Sequence, residues 1–306
     1  MSVSPAATLV EALEPLRSDP SHAAVLLDID GTLAPIVRHA DDAHVPEATR
    51  TLLIEVAKRY GVVACVSGRR AQAARQIVSI GSIAYIGNHG GELLRPGSTR
   101  VELDPELQSW SGRIRAFAAR AYTSEHQRLR IRTEDKQAIV AFHWRGAPDE
   151  DAAAAAVHEI AAQAQREGLV VHWGRKVLEV RPPVALDKGI GVTALLNPTH
   201  DHDGAAVTAQ RDGTVVMGQR DGTAVAGQRD GTSVAGQRFT AALYVGDDAT
   251  DVDAFRALRA LEHSGTLRAA VCAAVRSEEA PAELVREADL TIDGTSGVRG
   301  LLEALL

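Results

Sequence analysis

Cysteine is scarce. Two in 306 residues exclude a disulfide framework and a thiolate zinc site, since both need more cysteines at closer spacing. Cys65 and Cys272 sit in short apolar runs, VVACVS and AAVCAAV, where a buried free thiol is the ordinary outcome. Aromatic residues are also few, with 4 Phe, 3 Trp and 4 Tyr, so the core has to be aliphatic. A basic surplus is missing: 40 acidic residues face 33 basic ones, for a formal net charge of −7. That balance suits neither a nucleic-acid backbone nor an anionic membrane, and neither is expected as a partner. No apolar run approaches the length that spans a bilayer. The N-terminal stretch MSVSPAATLVEALEPLR has no basic leader before an apolar run and carries Glu11 and Glu14, so it does not read as a signal peptide. It predicts a short amphipathic helix, capped by Ser4, with Pro5 in its first turn and Leu9, Leu13 and Leu16 on its apolar side. A reducing, cytoplasmic setting is the matching expectation.

What is present is an alternation. Four short apolar runs, AAVLLDID (23–30), GVVACVS (61–67), IAYIGN (83–88) and AALYVGD (241–247), each end in a polar residue, with helical patterns between them. Such runs read as buried parallel strands of an open α/β sheet, whose ligands sit outside the carboxyl ends of the strands. Asp28, Asp30, Ser67 and Asp247 fall at those ends. Between about residues 101 and 178 the texture changes to Arg-rich, alternating strand-like pieces (RLRIRTED, QAIVAFHWR, LVVHWGRKVLEV) and two helical ones (LQSWSGRIRAFAARAY, DEDAAAAAVHEIAAQAQ). The expected organisation is a core at 1–100, an inserted α+β domain at 101–180, and the rest of the core at 181–306. Residues 210–236 repeat a nonapeptide three times (QRDGTVVMG, QRDGTAVAG, QRDGTSVAG), which reads as a dispensable surface insertion made by duplication. A partner-binding or oligomer-forming arm stays open as an alternative for it.

The strongest local signal is LLDIDGTLAPI, residues 26–36. Side chains two apart on an extended segment face the same way, so Asp28 and Asp30 can converge on one site. Like charges held together need a cation, and Mg²⁺ is a hard ion that takes oxygen ligands. One carboxylate can then attack phosphorus while the other handles the proton. An Asp-Gly turn without chemistry is the plain alternative. YVGDDATDVDAF (244–255) again places acids, Asp247, Asp248 and Asp251, at a strand end, and two adjacent acids there also call for a counter-ion. VSGRR (66–70) offers a hydroxyl and free N–H groups near a helix start, and DKG (187–189) offers Lys188.

In that order, DxDGT, SGR, Lys and GDDxxD resemble the four motifs of the haloacid dehalogenase superfamily of phosphohydrolases, whose core is a Rossmann-like parallel sheet. The resemblance implies that Asp28 is the nucleophile and Asp30 the general acid/base, with Ser67 and Lys188 holding the phosphoryl group. It implies that Asp28, the backbone carbonyl of Asp30 and Asp247 ligate Mg²⁺, with Asp248 or Asp251 behind them. GNHGGE (87–92), RTEDKQAIVAFHWR (132–145) and KVLEVRPPVALDKG (176–189) narrow this further: with the core motifs they resemble the trehalose-6-phosphate phosphatases, in which the insertion is an α/β cap. Trehalose 6-phosphate is then the implied substrate, the last step of trehalose biosynthesis the implied place, and functional pairing with a trehalose-phosphate synthase the implied partnership. A disaccharide needs paired donors and acceptors; Glu134, Lys136, His143, Lys176 and Glu179 are candidates from the cap, and Asn88, His89 and Glu92 from the core. Two departures stand out: Val252 sits where relatives commonly carry an acid, and the repeat lengthens a connection. Another sugar phosphatase, a phosphosugar mutase and an inactive scaffold remain the competing readings.

Overall fold

The structure is a computed structural model that describes residues 5–37, 42–197, 238–277 and 281–306. The repeat at 210–236 and Ser4 lie outside the described residues. In the core, apolar and β-branched runs form β1 (Ala23–Leu27), β2 (Val62–Val66), β3 (Ala84–Gly87), β4 (Glu92–Leu94) and β5 (Val101–Leu103). The inserted region supplies β6 (Arg132–Asp135), β7 (Val140–His143), β8 (Val170–Gly174) and β9 (Val177–Arg181). The core then resumes with β10 (Ala241–Gly246), β11 (Ala269–Arg276) and β12 (Leu290–Asp293). Helices α1 (Pro5–Ala12), α2 (Glu14–Arg17), α3 (Glu47–Arg59) and α4 (Ala71–Val78) precede the insertion. Helices α5 (Pro105–Ala121), α6 (Ser124–Arg128) and α7 (Glu150–Arg166) lie within it; α8 (Lys188–Leu196), α9 (Asp251–His263), α10 (Ala282–Glu287) and α11 (Gly294–Leu305) follow.

The eight core strands order as β12-β11-β10-β1-β2-β3-β4-β5. The first six run parallel, while β4 and β5 fold back antiparallel. Every side chain of β1 is buried, as a strand covered on both faces requires. Val25 and Leu27 pack with Leu53 and Val56 of α3 and with Leu301 of α11. Ala24 and Leu26, on the opposite face, pack with Val192 and Leu195 of α8 and Phe255 and Leu258 of α9. β1 lies between β2 and β10, so the chain leaves it in both directions across the sheet. That reversal opens a crevice at the carboxyl ends of β1 and β10.

The insertion is a separate antiparallel sheet, β6-β7-β9-β8. Val140, Phe142, Leu178 and Val180 face helices α5 and α7 through Ile114, Phe117, Val157 and Ile160. The alternate positions, Glu134, His143, Glu179 and Arg181, form the other face.

Three expectations change. The N-terminal helix is two pieces, because Pro15 opens α2 and has no N–H to continue α1. Leu13 and Leu16 are nonetheless fully buried. LVVHWGRKVLEV is a hairpin of two strands, turned through Lys176 at φ +62°. The run around Cys272 is a full strand, β11, rather than a mere apolar stretch. Both thiols are free and buried.

Candidate active site

Asp28 follows the last residue of β1. Its N–H donates to Val245 O at 2.9 Å, which pins it against β10, and it is 4% exposed. Gly31, at φ +94°, lets the next turn pass close to Asp247; a Cβ there would lie 2.0 Å from Asp247 Oδ2. Thr32 Oγ1 donates to Asp247 Oδ1 at 3.2 Å. Lys188 opens α8 and is 2% exposed. Its Nζ donates to Asp28 Oδ1 and to Asp251 Oδ1, both at 2.7 Å, and lies 3.7 Å from Asp248 Oδ1. Asp28, Asp247 and Asp251 each bring an oxygen within 4.8 Å of the others.

The charges in this crevice do not balance. Burial raises the Asp28 carboxyl well above the usual range; Lys188 opposes this, while Asp251 and Asp247 add to it. Burial and the neighbouring Asp251 and Asp248 push Asp247 up to about 7. Burial works against the Lys188 ammonium, but Asp251 and Asp28 overrule it and raise its pKa. Three carboxylates share one buried lysine, and the donor set around them is oxygen only. That chemistry fits a hard divalent cation such as Mg²⁺.

Asp251 has no oxygen left for such an ion. Oδ1 accepts from Lys188 and from Tyr244 Oη at 2.7 Å, and Oδ2 accepts the N–H groups of Asp247 at 2.9 Å and Asp248 at 3.0 Å. It orients the lysine and the turn, which leaves Asp28 and Asp247 as the side chains open to a metal. Asp248 is exposed and accepts from the Thr250 N–H and hydroxyl.

Asp30 departs from the expected convergence. Strand β1 ends before it, and the chain turns at 29–34, so its carboxylate lies outside the Asp28 cluster. It is held instead by Arg69, whose Nε and Nη2 each donate at 2.7 Å. Ser67 is buried at the end of β2, and its Oγ accepts the Arg69 N–H at 3.1 Å.

The polar cap face meets the core beside this crevice. Glu179 Oε1 accepts from Lys136 Nζ at 2.8 Å and Oε2 from Arg181 Nε at 3.0 Å. Burial alone would raise the Glu179 carboxyl, yet Lys136 and Arg181 bring it down to about 2. His89 Nε2 lies 4.0 Å from Glu179 Oε2. Burial, with Arg181 adding to it, lowers His89 to about 3, so the imidazole is neutral. His143 Nε2 pairs with Glu134 Oε2 at 3.0 Å on the same face. His172 stands beside this group, its ring centroid 6.4 Å from that of His89.

Three of the sugar-contact candidates have partners within the protein. Lys176 is exposed on the β8–β9 turn and pairs with Glu150, because the left-handed turn throws its side chain toward α7. Glu92 and Asn88 are enclosed, and Glu92 spends both oxygens on internal donors, the Ala71 N–H and Asn88 Nδ2. Arg69, Tyr244 and Thr32 carried no signal in the sequence beyond lying next to motif residues. Arg181 reads as a surface charge before two prolines, but it is buried against Glu179.

Among the described residues, no helix is long and apolar enough to cross a membrane. The trehalose-phosphatase family model matches residues 26–289. A Sinorhizobium fredii protein named "Probable trehalose-phosphate phosphatase" is 32% identical over 197 residues, 64% of this chain and 72% of its own. A Mycobacterium marinum trehalose-phosphate phosphatase is 29% identical over 242 residues, 77% of this chain and 51% of its own. The chain spans about half the length of most of the first curated relatives it matches. In fold it is similar to the C-terminal domain of Candida albicans trehalose-6-phosphate phosphatase, with a TM-score of 0.63, 19% identity, and coverage of 98% of this chain and 96% of that one. The parallel sheet, the strand-end acids and a match across most of the sequence agree: the chain belongs to the trehalose-phosphatase family.

Proposed function

We propose that this protein is a Mg²⁺-dependent phosphatase that hydrolyses trehalose 6-phosphate to trehalose and phosphate. The observation that carries the reading is the Asp28–Lys188–Asp251 chain, buried at the strand ends beneath a polar cap face. Asp28 attacks phosphorus while the bond from phosphorus to the sugar oxygen breaks, giving an aspartyl-phosphate. Asp30 delivers a proton to the leaving oxygen and then takes one from the water that attacks the aspartyl-phosphate, releasing phosphate. For this it has to leave the grip of Arg69, which holds its carboxylate to one side. Ser67 and Lys188 hold the phosphoryl oxygens. Mg²⁺, held by Asp28, Asp247 and the Asp30 carbonyl, would keep the two carboxylates ionised and offset charge on the transferred group. Glu134, Lys136, His143, Glu179 and His89 are the groups suited to sugar hydroxyls. The cap is read at about 104–181 rather than 101–180, since β5 (Val101–Leu103) pairs with the core strand β4 and β9 runs to Arg181; the cytoplasmic setting belongs to the same reading. So does pairing with a trehalose-phosphate synthase, whose product this last biosynthetic step would consume.

Phosphate release from trehalose 6-phosphate, glucose 6-phosphate and sucrose 6-phosphate, with and without Mg²⁺, tests it. The expected result is a preference for trehalose 6-phosphate of at least about tenfold, roughly 1.4 kcal/mol of transition-state discrimination. Equal rates on all three, or rates unaffected by chelation, contradict the assignment.

A further inference from the structure

The β6–β7 turn of the cap rests on the core through groups that the proposed chemistry leaves unused. Asn88 Nδ2 donates to Glu92 Oε1 at 2.8 Å and also to the backbone carbonyl of Lys136 at 3.2 Å. Glu92 Oε2 accepts the Ala71 N–H at 2.8 Å, at the start of α4. Arg70 lies alongside, with Nε 3.6 Å from Glu92 Oε1 and Nη1 3.5 Å from Asp135 O on the cap. Asn88 is wholly buried and Glu92 nearly so.

This arrangement is costly to hold. Asn88 and His89 both sit in the left-handed region, at φ +47° and +54°, where Asn is better tolerated than most residues. A carboxylate buried without a partner would be expensive, and here it is met by two hydrogen-bond donors and by the charge of Arg70 at 3.6 Å. The Asn88 amide has one workable orientation, since a flip would set its oxygen against two acceptors. In that orientation its Oδ1 is buried with no hydrogen-bond partner. A strained backbone, an orphaned oxygen and a buried acid all serve one contact that crosses from core to cap. The residue gripped by that contact is Lys136, whose side chain bonds Glu179.

We propose that Asn88, oriented by Glu92, is a positioning residue: it clamps the β6–β7 turn to the core and so sets Lys136 and Glu179 over the strand ends. Glu92 joins the clamp to the segment after Ser67 through Ala71. The kinetic consequence rests on the hydrolytic reading above, but the contact itself does not.

Two variants of the full chain test the clamp. Asn88→Gly keeps the left-handed backbone and removes the amide; Asn88→Asp keeps the size and replaces the donor with an acceptor. Amide hydrogen exchange at residues 135–139 should speed up at least tenfold in both. The ratio of kcat/KM for trehalose 6-phosphate to that for p-nitrophenyl phosphate, which has no sugar to place, should fall at least tenfold, mainly through KM. Unchanged exchange at 135–139, or equal losses on both substrates, overturns the proposal. If one variant does not fold by thermal unfolding, the other carries the same two readouts. If the native protein does not cleave trehalose 6-phosphate, the functional reading falls and the exchange result still decides the clamp.

Discussion

The core crevice and the cap face handle charge in different ways. In the crevice, Asp28 and Asp251 bond one buried lysine, Asp248 lies 3.7 Å from it, and Asp247 beside them is pushed up to about 7. On the cap, one glutamate is shared by Lys136 and Arg181, and burial, which would raise it, is outweighed until it titrates at about 2. The crevice gathers carboxylates, whereas the cap face sets acids against bases, Glu179 with Lys136 and Arg181 and Glu134 with His143. The oxygen-only cluster of the crevice could hold a divalent cation, and the donors and acceptors of the cap face could meet a polar ligand. An acidic protein can therefore take an anionic ligand, because the local balance decides and the total of −7 does not.

The largest effect expected is at the core. Asp28→Asn keeps the shape and removes the proposed nucleophile, so turnover should fall by at least about a thousandfold while the thermal midpoint stays or rises. A near-native rate breaks the core side of the comparison. Glu179→Gln should act on the cap side only. It leaves two enclosed cations without their counter-charge, at a cost of about 3 kcal/mol in stability, and should raise KM more than it lowers kcat. Steady-state kinetics and denaturant unfolding would measure both.

The two regions should also answer pH in opposite directions in metal-free protein. Asp247 moves from 3.8 to about 7, so the folded state keeps a proton that the unfolded chain loses. The stability this brings is full below pH 3.8 and is lost as pH rises toward about 7. Glu179 moves from 4.5 to about 2, so its contribution is present above pH 4.5 and is lost as pH falls toward about 2. Thermal midpoints across this range should show both slopes, with Asp247→Asn flattening the upper one and Glu179→Gln the lower one. The smallest effect is expected at Lys176, whose pair with Glu150 is exposed. Lys176→Ala should change stability by less than about 1 kcal/mol and activity by less than twofold.

The same contrast explains what the sequence revealed. The core was legible because each strand is a short apolar run ending in its functional residue; Asp28, Ser67 and Asp247 are found where the runs stop. The inserted sheet was legible as alternation, though the turn at Lys176 hid one strand boundary. Cap side chains were harder, because an alternating strand shows that two faces exist and not which neighbour each charge meets. Lys176 and Glu179 are three residues apart and look equally suited to a sugar, yet one is thrown outward by a left-handed turn and the other lies at the centre of a buried pair of ion pairs. The side-chain position of Asp30 was hidden for a different reason. The same-face rule holds along a strand, and the strand ends before Asp30, leaving Arg69 to take its carboxylate. Partners distant in sequence, such as Tyr244 for Lys188 through Asp251, leave no pattern in a single chain.

The claim on which the rest depends is that the crevice binds a divalent cation. Calorimetric titration of metal-free protein with Mg²⁺ at pH 7, repeated in buffers of different ionisation enthalpy, measures it directly. One ion per chain is expected, with release of protons on binding, since the Asp247 carboxyl, pushed up to about 7, must ionise to hold it. Asp247→Asn should weaken binding and reduce the protons released. No binding, or binding without proton release and with the same affinity in Asp247→Asn, would contradict it.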